Sequence, residues 1–560
     1  MQKLKVGLIV DGLYVSKAVR DLIEWSKLSP DLEISHLIIQ HVVKAKRSRI
    51  TRLVDRLRRR GLGDVLGALV IELVTRVERR PLLLRKGANE YLKHHDISST
   101  VDGSINVRPN ISKSGLVFRY EKSDLDAICS ESFDVLIRCG SGILRGPILE
   151  AARLGVISFH HGDNRVYRGG PAGFWEVLHR AEQTGFIIQK LTEDLDAGEV
   201  LLRGGFPTQH FFSLNQMFVI EQSSPYLYNL LTRMAKSGSL PAIQNTDARL
   251  GPIFKSPGLF DALWYVGKLI WLYLARIRRR ILNLNPQWVV RVTSGSPLES
   301  SPVELSSLPV RPDRYLADPC LIERDGQTVC FVEEYLYATK RGRIVSYEIR
   351  GSTVGQRLVC LEEAFHLSFP YVFEYQGTLF MCPETIACKE IRLYRCDGFP
   401  GKWQYFATLM SEISAADTMI FEKNGLWWMM TNIDRSGMGD HSSELSIFFA
   451  SSPTSTQWTP HAMNPVIIDS TCARNGGLIL NQRGIYRAGQ RQGFDAYGIS
   501  VTLNEITVLS PDLYAEVPVR VIEPDHRQRE IGSHHISATS EFWVRDALVM
   551  ARTSRRGSRD

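Results

Sequence analysis

Residues 4–40 read LKVGLIVDGLYVSKAVRDLIEWSKLSPDLEISHLIIQ, and this stretch decides the fold of the first part of the chain. Two almost continuous apolar runs, 4–10 and 34–40, flank a segment with helical spacing, 16–27. Runs that are apolar on both faces are typical of buried parallel strands, which need a crossover helix between them. We therefore expect a βαβ unit at the start of the chain.

The same rhythm continues to about residue 205. A strand is predicted at 133–138 (FDVLIR), a loop at 139–142 (CGSG) and a helix at 146–154. Residues 62–79 carry apolar side chains at helical spacing, which predicts an amphipathic helix packed on a core. Together these elements favour a doubly wound, Rossmann-like α/β domain, in which residues 44–130 form a helical insertion.

The residue pattern changes after about residue 286, from alternating strands and helices to short strands and turns. Short β-rich runs follow turns such as RDG, YQG and KNG, and Gly326, Gly377 and Gly425 are 51 and 48 residues apart. About 260 residues with such a period predict an all-β five-bladed propeller; a large sandwich or two small β domains are the alternative. The expected domains are, in order, an α/β domain (1–255), a linker with an amphipathic helix (256–286), the propeller (287–550) and a basic tail (551–560).

The formal net charge of +8 comes from one segment. Residues 44–60 hold nine Lys and Arg and a single acid, Asp55. We interpret the segment as a solvated basic helix, with anionic lipid, a phosphorylated substrate or RNA as alternative contacts. Basic residues are not spread over a face, so no nucleic-acid partner is expected. Ordinary globular composition excludes a fibrous or disordered chain.

The nine cysteines show no CxxC pair, and the N-terminal apolar run contains Asp11 and offers no cleavage site. These features predict a cytoplasmic protein, free or peripheral to the inner face of the membrane. Residues 262–275 (ALWYVGKLIWLYLA) precede the basic run 276–280. Fourteen residues fall short of the ~20 that span a bilayer. Two interpretations stand: a peripheral membrane contact through 262–280, or packing between domains.

Residues 155–199 read GVISFHHGDNRVYRGGPAGFWEVLHRAEQTGFIIQKLTEDLDAGE. They resemble the folate-dependent formyltransferases, which act on methionyl-tRNA, glycinamide ribonucleotide or sugar amines. The residues that match the family pattern are Gly155, Ile157, His160, Tyr167, Arg168, Gly169, Thr184, Gly185, Leu195, Asp196 and Gly198. The resemblance implies a formyltransferase domain that uses 10-formyltetrahydrofolate and a small-molecule amine or amino sugar.

The resemblance further implies that His160 and Asp196 are catalytic. A protonated imidazole can donate to the oxyanion of formyl transfer, while a carboxylate keeps it charged and accepts the proton of the amine. The family's Asn two residues before the His is Ser158 here, which is a shorter donor, and His161 and Asn164 are candidate substitutes for it. The site is therefore expected either to handle an altered substrate or to bind without transfer.

Two further groups of residues follow from the resemblance. The family holds its pterin ring with a loop that corresponds to Cys139, Gly140, Ser141, Gly142, Ile143 and Leu144. Its glycines allow close approach to a flat ligand, although a plain tight turn explains them equally well. Tyr167 and Arg168 are candidate substrate-binding residues, and Arg168 either meets an anionic group or ties the turn to a carbonyl.

The second part resembles the propellers of glycoside hydrolase family 43 and of plant glucosamine inositolphosphorylceramide transferases. The matching phrases are 317–319 (ADP), 366–385 (HLSFPYVFEYQGTLFMCPET), 416–417 (AD), 473–477 (ARNGG) and 532–535 (GSHH). The hydrolases' base and pKa-setting acid correspond to Asp318 and Asp417, and Glu384 is a candidate third carboxylate. Alternatively, these acids stabilise turns or bind sugar hydroxyls. For His366, His534 and His535 we expect structural roles, with a metal or sugar site as the alternative, and no metal ligand is assigned.

The sequence thus leads to one main hypothesis and two alternatives. The main one is N-formylation of an amino sugar or similar amine by the first domain, with the carbohydrate bound by the propeller. The second places glycan chemistry in the propeller, as a glycosidase or a partner of a glycosyltransferase, beside a degenerate first domain. The third is a non-enzymatic glycan-binding protein.

Overall fold

The computed structural model describes residues 3–42, 49–85, 87–113, 115–193, 198–243, 250–299 and 303–552. The chain divides into two compact units, residues 1–270 and 271–560. The boundary falls inside a long helix, Leu259–Ile281. Each unit is described on its own below.

The first unit mixes strands and helices. Its elements, in chain order, are β1 (Leu4–Val10), β2 (Tyr14–Val15), α1 (Lys17–Leu28), β3 (Leu32–Gln40), α2 (Arg49–Leu83), α3 (Ala88–Tyr91), β4 (His95–Asp96), β5 (Gly103–Val107), β6 (Asn110–Ile111), β7 (Val117–Arg119), α4 (Lys122–Cys129), β8 (Val135–Arg138), β9 (Ile143–Leu144), β10 (Val156–His160), β11 (Arg168–Gly169), α5 (Phe174–His179), β12 (Gln183–Lys190), β13 (Glu199–Pro207), α6 (Phe212–Ser237), β14 (Ile253–Phe254) and α7 (Leu259–Ile281).

A seven-stranded sheet organises this unit. Its order is β13-β12-β10-β8-β1-β3-β5. The five strands from β10 to β5 are parallel to their neighbours, whereas β12 and β13 run antiparallel at one edge. The chain builds outward from β1 through β3 to β5, then returns to the other side of β1 for β8 and β10. Ligands of such sheets bind where the order reverses, at the carboxyl ends of the strands.

Two sequence-based expectations for this unit need correction. Of the predicted helical insertion, residues 44–130, the long helix covers only Arg49–Leu83, and a kink interrupts it at Gly61 with φ +80°. The later part contributes β5, a strand of the central sheet, because its alternating side chains suit pairing with β3. The helix predicted at 146–154 is only a 3₁₀ turn, Pro147–Glu150, between glycines with positive φ at 146 and 155.

The predicted core packing of residues 62–79 is also wrong for much of that segment. Five of its apolar side chains are exposed: Leu62, Leu66, Leu69, Leu73 and Val77. The helix is held from its other side, where buried Glu78 accepts hydrogen bonds from the Ser213 backbone and from Tyr265. Along the described ranges of the chain, no helix has both the length and the apolar character that a bilayer crossing requires.

The second unit consists of strands after the end of α7. They are β15 (Leu284–Ser294), β16 (Val303–Ser307), β17 (Arg314–Arg324), β18 (Gln327–Leu336), β19 (Arg341–Arg350), β20 (Thr353–Val354), β21 (Leu358–Leu361), β22 (Ser368–Tyr375), β23 (Thr378–Glu384), β24 (Glu390–Gly398), β25 (Lys402–Ser411), β26 (Ala415–Lys423), β27 (Leu426–Ile433), β28 (Glu444–Ala450), β29 (Thr459–Pro460), β30 (Ile467–Ile468), β31 (Asn475–Asn481), β32 (Gly484–Gly493), β33 (Ala496–Leu509), β34 (Tyr514–Ile522), β35 (Glu530–Gly532), β36 (Ile536–Ala538) and β37 (Phe542–Arg552).

These strands form five antiparallel sheets, and the predicted five-bladed propeller is confirmed. Four blades follow one another along the chain, led by β17, β22, β26 and β31. The fifth combines β35, β36 and β37 with β15 and β16, which come from the start of the unit. The leading strands contact each other in a closed ring, with β36 between β31 and β17. A propeller has this arrangement around its axis.

The repeated turns have a simple backbone explanation. In Asp325-Gly326, Gln376-Gly377 and Asn424-Gly425 both residues have positive φ, between 49° and 76°. Two-residue hairpins of this kind match the twist of the strands they join, and they favour a small polar residue followed by glycine. Each such turn joins the first two strands of a blade, which is why the period was visible in the sequence.

Candidate functional site

The central sheet of the first unit opens on a cavity of about 470 Å³. It lies at the carboxyl ends of β8 and β10 and is bounded by α1 and α6. Its polar lining includes Arg138, Ser158, His161 and Glu221, while Val19, Leu22, Ile137 and Leu227 supply apolar walls. A cavity of this size with a few polar groups on apolar walls has the character of a small-molecule site, for which roughly 300–1,000 Å³ is usual.

The loop after β8 is held in place from below. The carboxylate of Asp11 accepts hydrogen bonds from the Ser141 backbone N–H, at 2.9 and 3.0 Å, and from the Gln40 amide at 3.1 Å. The other end of the Gln40 amide accepts from Tyr120 at 3.0 Å. Gly140 packs so closely on this chain that a Cβ would lie 2.6 Å from the Gln40 nitrogen. The loop is therefore preorganised, and a side chain at position 140 would have to displace the Gln40 amide and the Asp11 carboxylate.

The loop predicted to hold a pterin ring divides in the structure. Cys139 and Gly140 line the cavity. Ile143 and Leu144 instead form β9 and pair with β7, so this part of the loop serves the fold. A cofactor role for residues 139–144 stays a prediction. Within this loop, Cys139 and Gly140 are the residues placed to contact a ligand in the cavity.

Ser158 lies in the cavity beside a residue that the sequence analysis missed. Its hydroxyl is 3.3 Å from Nη1 of Arg138 and donates to the Phe159 carbonyl at 3.2 Å. Arg138 also donates to the Gly142 carbonyl, which fixes the guanidinium at the cavity wall. A basic residue at the very end of the apolar strand 133–138, directly before the glycine loop, was the signal that could have revealed it.

His160 follows Ser158 by two residues on the same strand, so both side chains leave the same face of the sheet. Its Nε2 lies 3.1 Å from the Tyr167 carbonyl oxygen and therefore carries a proton. His161, not His160, lines the cavity, and burial together with the neighbouring His160 lowers the pKa of His161 to about 4. Asp196, the predicted carboxylate partner, lies outside the described residues. The catalytic pair thus stays a prediction.

The remaining candidates of the first unit are not among the residues that line this cavity, and their role in binding stays a prediction. The hydroxyl of Tyr167 is 3.1 Å from Nδ1 of His179, and its ring packs on Phe254. The backbone of Arg168 joins β11 to β14. Asn164, considered as a substitute donor, accepts from Arg203 at 2.9 Å, which directs its amide oxygen to that structural arginine.

At the axis of the second unit, equivalent positions of the blades meet. The leading strand of each of four blades bulges around a residue with positive φ: Asp318, Phe369, Asp417 and Gly477. In the fifth blade the leading strand is interrupted between β35 and β36, where His534 and His535 lie. A bulge turns a side chain out of the alternating pattern. The sequence phrases that carried the resemblance therefore contain these four bulges and this one interruption.

Asp318 is enclosed by charged neighbours and is only 6% exposed. One carboxylate oxygen lies 3.0 Å from Nε2 of His534 and 3.6 Å from Nδ1 of His535. Burial favours the neutral acid, but the hydrogen bonds and charges of the two histidines outweigh it and hold the pKa of Asp318 well below its usual value. A carboxylate so strongly paired is a poor general base.

His534 lies between two carboxylates. Its Nδ1 is 2.9 Å from Asp546, which also accepts from the backbone N–H groups of His534 and His535. Burial lowers the pKa of His534, and the charges of Asp546 and Asp318 overcome that effect and raise it to about 10. Asp318, His534 and Asp546 offer ligand atoms within 4.8 Å of one another. Since both ring nitrogens already face carboxylates, the group behaves as an ion cluster of the protein itself.

A second cluster surrounds Arg474. Its guanidinium lies 2.6 Å from Asp417 and 3.7 Å from Glu384, and it stands 5.2 Å above the ring of Tyr497. Burial and the nearby Asp417 raise the pKa of Glu384 to about 8. A carboxyl group with this pKa keeps its proton at neutral pH. The structure brings Glu384 and Asp417 together around one arginine, and the ring of Tyr497, 5.1 Å from that of His534, connects this cluster to the one around Asp318.

The sequence analysis missed Glu333 on β18 as well. This buried acid lies 3.4 Å from the Tyr315 hydroxyl and 3.6 Å from His366, and burial with Asp318 nearby raises its pKa well above the usual value. The rings of Tyr315 and Tyr335 stack at 4.8 Å. The sequence did contain a signal for Glu333, since this acid directly follows the apolar core of a strand, in VEE at 332–334.

Comparison with known proteins finds relatives for both parts of the chain that the sequence analysis distinguished. Residues 300–538 match the family model for glucosamine inositolphosphorylceramide transferase 1, N-terminal. The protein of that name from Oryza sativa subsp. japonica is 32% identical over 322 residues, covering 50% of this chain and 43% of the rice protein. The methionyl-tRNA formyltransferase of Listeria welshimeri is 29% identical over 120 residues, covering 20% of this chain and 38% of that enzyme.

Among solved structures, the catalytic domain of the GH62 α-L-arabinofuranosidase of Coprinopsis cinerea covers 48% of this chain and 98% of that chain. Its sequence identity is 11% and its TM-score 0.35. This chain spans less than half the length of either curated relative. The predicted combination of a formyltransferase-like domain with a propeller of the glucosamine inositolphosphorylceramide transferase type is confirmed, and both relatives are transferases by name.

Proposed function

We propose that the first unit transfers a formyl group from 10-formyltetrahydrofolate to the amine of an amino sugar or glycan precursor, and that the propeller binds the carbohydrate. The observation that carries the proposal is the cavity at the carboxyl ends of β8 and β10, with the hydroxyl of Ser158 and the guanidinium of Arg138 3.3 Å apart in its wall. Similarity to a methionyl-tRNA formyltransferase supports the same reaction class.

The lining fits the formyl donor in its chemistry. Backbone at Cys139 and Gly140 lies against apolar residues of α1 and α6, which suits the edge and the faces of a flat ring system. The donor supplies the formyl carbon that the amine attacks. Side chains of this chain then have two tasks: to stabilise the charge that builds up on the formyl oxygen, and to take up the proton that the amine loses.

Arg138 and Ser158 perform the first task in this proposal. Donors aimed at a developing oxyanion act best when they are already in place, and each typically contributes ~10²–10³ in rate. The hydrogen bond from Arg138 to the Gly142 carbonyl and its contact with Ser158 give that preorganisation. The guanidinium thus supplies the positive donor that compensates for the shorter side chain of Ser158.

His160 and Asp196 perform the second task. With a proton fixed on Nε2 by the Tyr167 carbonyl, the imidazole of His160 becomes a cation when its other nitrogen gains a proton. A carboxylate such as Asp196 stabilises that cation and accepts the amine proton through water. As the bond between the formyl carbon and the folate nitrogen breaks, that nitrogen takes up a proton, so the proton that the amine loses is returned to the leaving tetrahydrofolate and the new amide is neutral.

The test is a transfer assay with the full chain. Purified protein is incubated with 10-formyltetrahydrofolate labelled in the formyl group and a panel of nucleotide-linked amino sugars, and the label is followed into product. We expect turnover with at least one amino sugar, and a large loss of turnover in His160→Ala. Equal turnover in wild type and His160→Ala, or binding of a folate analogue outside the cavity, contradicts the proposal.

A second candidate function is glycosyl transfer or hydrolysis at the propeller axis. Glu384, with a pKa of about 8, is suited to donate a proton beside Asp417. Similarity to a glucosamine inositolphosphorylceramide transferase favours glycan chemistry of this kind. Loss of glycan turnover in Glu384→Gln, with none in His160→Ala, supports this candidate over the first.

A further inference from the structure

An exposed apolar stripe runs along α2. Its five residues, Leu62, Leu66, Leu69, Leu73 and Val77, are between 38% and 64% exposed. Their spacing of three or four residues places them on one narrow face of the helix. On the opposite side of the helix, Glu78 accepts hydrogen bonds from Ser213 and Tyr265, so this side faces the protein and the stripe faces solvent. Solvent-exposed stripes of this length mark an interaction surface.

The helix α7 carries a second stripe. Phe260, Leu263 and Ile270 are 79%, 55% and 54% exposed, and Trp271 and Leu274 continue the same face. Ala262 and Tyr265 are buried on the other side of the helix. Lys268 stands 4.2 Å from the ring of Trp264, which completes an aromatic and basic margin. Such a combination is typical of helices that lie in a membrane interface.

The stripe of α2 and the part of the α7 stripe up to Ile270 belong to neighbouring helices of the first unit. Gly67 of α2 touches the backbone before α7 so closely that a Cβ would lie 2.3 Å from the Gly258 carbonyl carbon. Further along, Tyr265 of α7 donates to Glu78 of α2 at 2.5 Å. We call these residues of the first unit the docking face: Leu62, Leu66, Leu69, Leu73, Val77, Phe260, Leu263 and Ile270.

Charge decides which partner this face suits. Over its described side chains, 61–83, α2 holds three arginines and three acids and is neutral. The positive charge belongs to α7, which carries Lys268, Arg276, Arg278, Arg279 and Arg280 against a single acid, Asp261. A second copy of the chain would bring two such positive helices against each other, which opposes self-association. Anionic phospholipid headgroups neutralise them instead, at about 1 kcal/mol per basic residue near the surface.

We therefore propose that the docking face lies on an anionic membrane surface, with the apolar stripes of α2 and α7 in the headgroup region and the arginines on the lipid phosphates. The inference is independent of the reaction in the cavity. It places an enzyme or binding protein at the interface where the polar heads of glycolipids are accessible.

Vesicle flotation of the full chain tests the proposal. The probes are phosphatidylcholine vesicles and vesicles that also contain phosphatidylglycerol, each at low and high salt. We expect the protein to float only with the anionic vesicles, and less so at high salt because the charges are screened. The triple change Leu66→Glu, Leu69→Glu and Leu73→Glu is expected to weaken partitioning by about tenfold or more, since it removes apolar burial and adds repulsion.

Matched controls separate docking from folding. Leu480→Glu and Val517→Glu change residues of the propeller that are 53% and 50% exposed, and we expect both variants to float like wild type. Phe260→Glu repeats the test on the other helix. The proposal is overturned if wild type does not float with anionic vesicles, or if the triple variant floats like the controls. A dimer in light scattering that the triple variant dissociates, without any flotation, identifies a second copy as the occupant and also overturns it.

Discussion

The cavity of the first unit and the axis of the propeller are both rich in polar side chains, but they use them differently. At the cavity, Arg138 donates to a hydroxyl and a carbonyl, and Asp11, which holds the glycine loop, accepts from the Ser141 backbone N–H and from the Gln40 amide. At the axis, charge faces charge, as in Asp318 with His534 and Asp417 with Arg474. Hydrogen bonds of the first kind orient a side chain at a cavity wall, whereas buried ion pairs mainly fix the elements that carry them.

The largest effect should come from breaking an ion pair at the axis. Asp546→Asn removes one of the two carboxylates around the buried imidazolium of His534. We expect the propeller to lose about 3–5 kcal/mol of unfolding free energy, because the buried imidazolium keeps only Asp318 as a counter-charge and the backbone N–H groups of His534 and His535 lose a charged acceptor. Urea-induced unfolding followed by circular dichroism measures it. Glu348→Gln, at an exposed pair with Arg350, is the control and should cost at most about 1 kcal/mol.

The reverse behaviour is expected at the cavity. Arg138→Met should lower kcat of formyl transfer by about 10²–10³ while unfolding changes little, since the guanidinium acts on the reacting oxygen. Arg153→Met, on an arginine bound to Asp134 away from the cavity, is the matched control and should leave kcat unchanged. Similar kinetics for the two variants would remove Arg138 from the mechanism.

The pH dependence of stability sharpens the contrast. The pKa of His534 is raised from 6.5 to about 10 in the folded protein, so above pH 6.5 the folded state holds a proton that the unfolded state has lost. The stabilisation is complete below pH 6.5 and is lost as the pH rises through 10. Urea unfolding at a series of pH values should show this decline, and His534→Gln should flatten it. A wild-type profile without any decline between these values would be at odds with a charged His534.

The smallest effect is expected beneath the glycine loop. Tyr120→Phe removes the hydrogen bond to the buried Gln40 amide and should cost about 1 kcal/mol of unfolding free energy. Asp11 still holds the loop in this variant. The Kd of a folate analogue, measured by calorimetry, should therefore change less than about twofold. A much larger loss of affinity would mean that Tyr120 contacts the ligand.

Local patterns in the sequence were sufficient for most of the architecture. Continuous apolar runs identified β1 and β3, and the glycines of the blade turns carried the period of the propeller because each turn needs positive φ. The helix expected at 146–154 failed since Pro147 and the flanking glycines permit only a short turn. The apolar positions of α2 were read as core because helical spacing shows that a face is apolar, not what covers it.

The candidate sites were harder to predict, because their contacts join distant parts of the chain. Asp318 was recognised by its motif, but its partner His534 lies more than 200 residues away, and only the closed ring brings the two together. Ser158 was identified, whereas the nearby Arg138 had no place in the motif. Sequence reasoning found the residue types of each site and missed the pairing that decides what each residue can do.

The closure of the fifth blade has a consequence for biosynthesis. Leu284, at the start of β15, pairs with Arg552 at the end of β37, so the ring is completed by the first and the last strand of this unit. Contacts of such long sequence separation slow folding, and domains made earlier on the ribosome fold first. The α/β unit can therefore acquire its structure during synthesis, while the blades wait with unpaired edges until the final strand is released, an interval in which they depend on protection from aggregation.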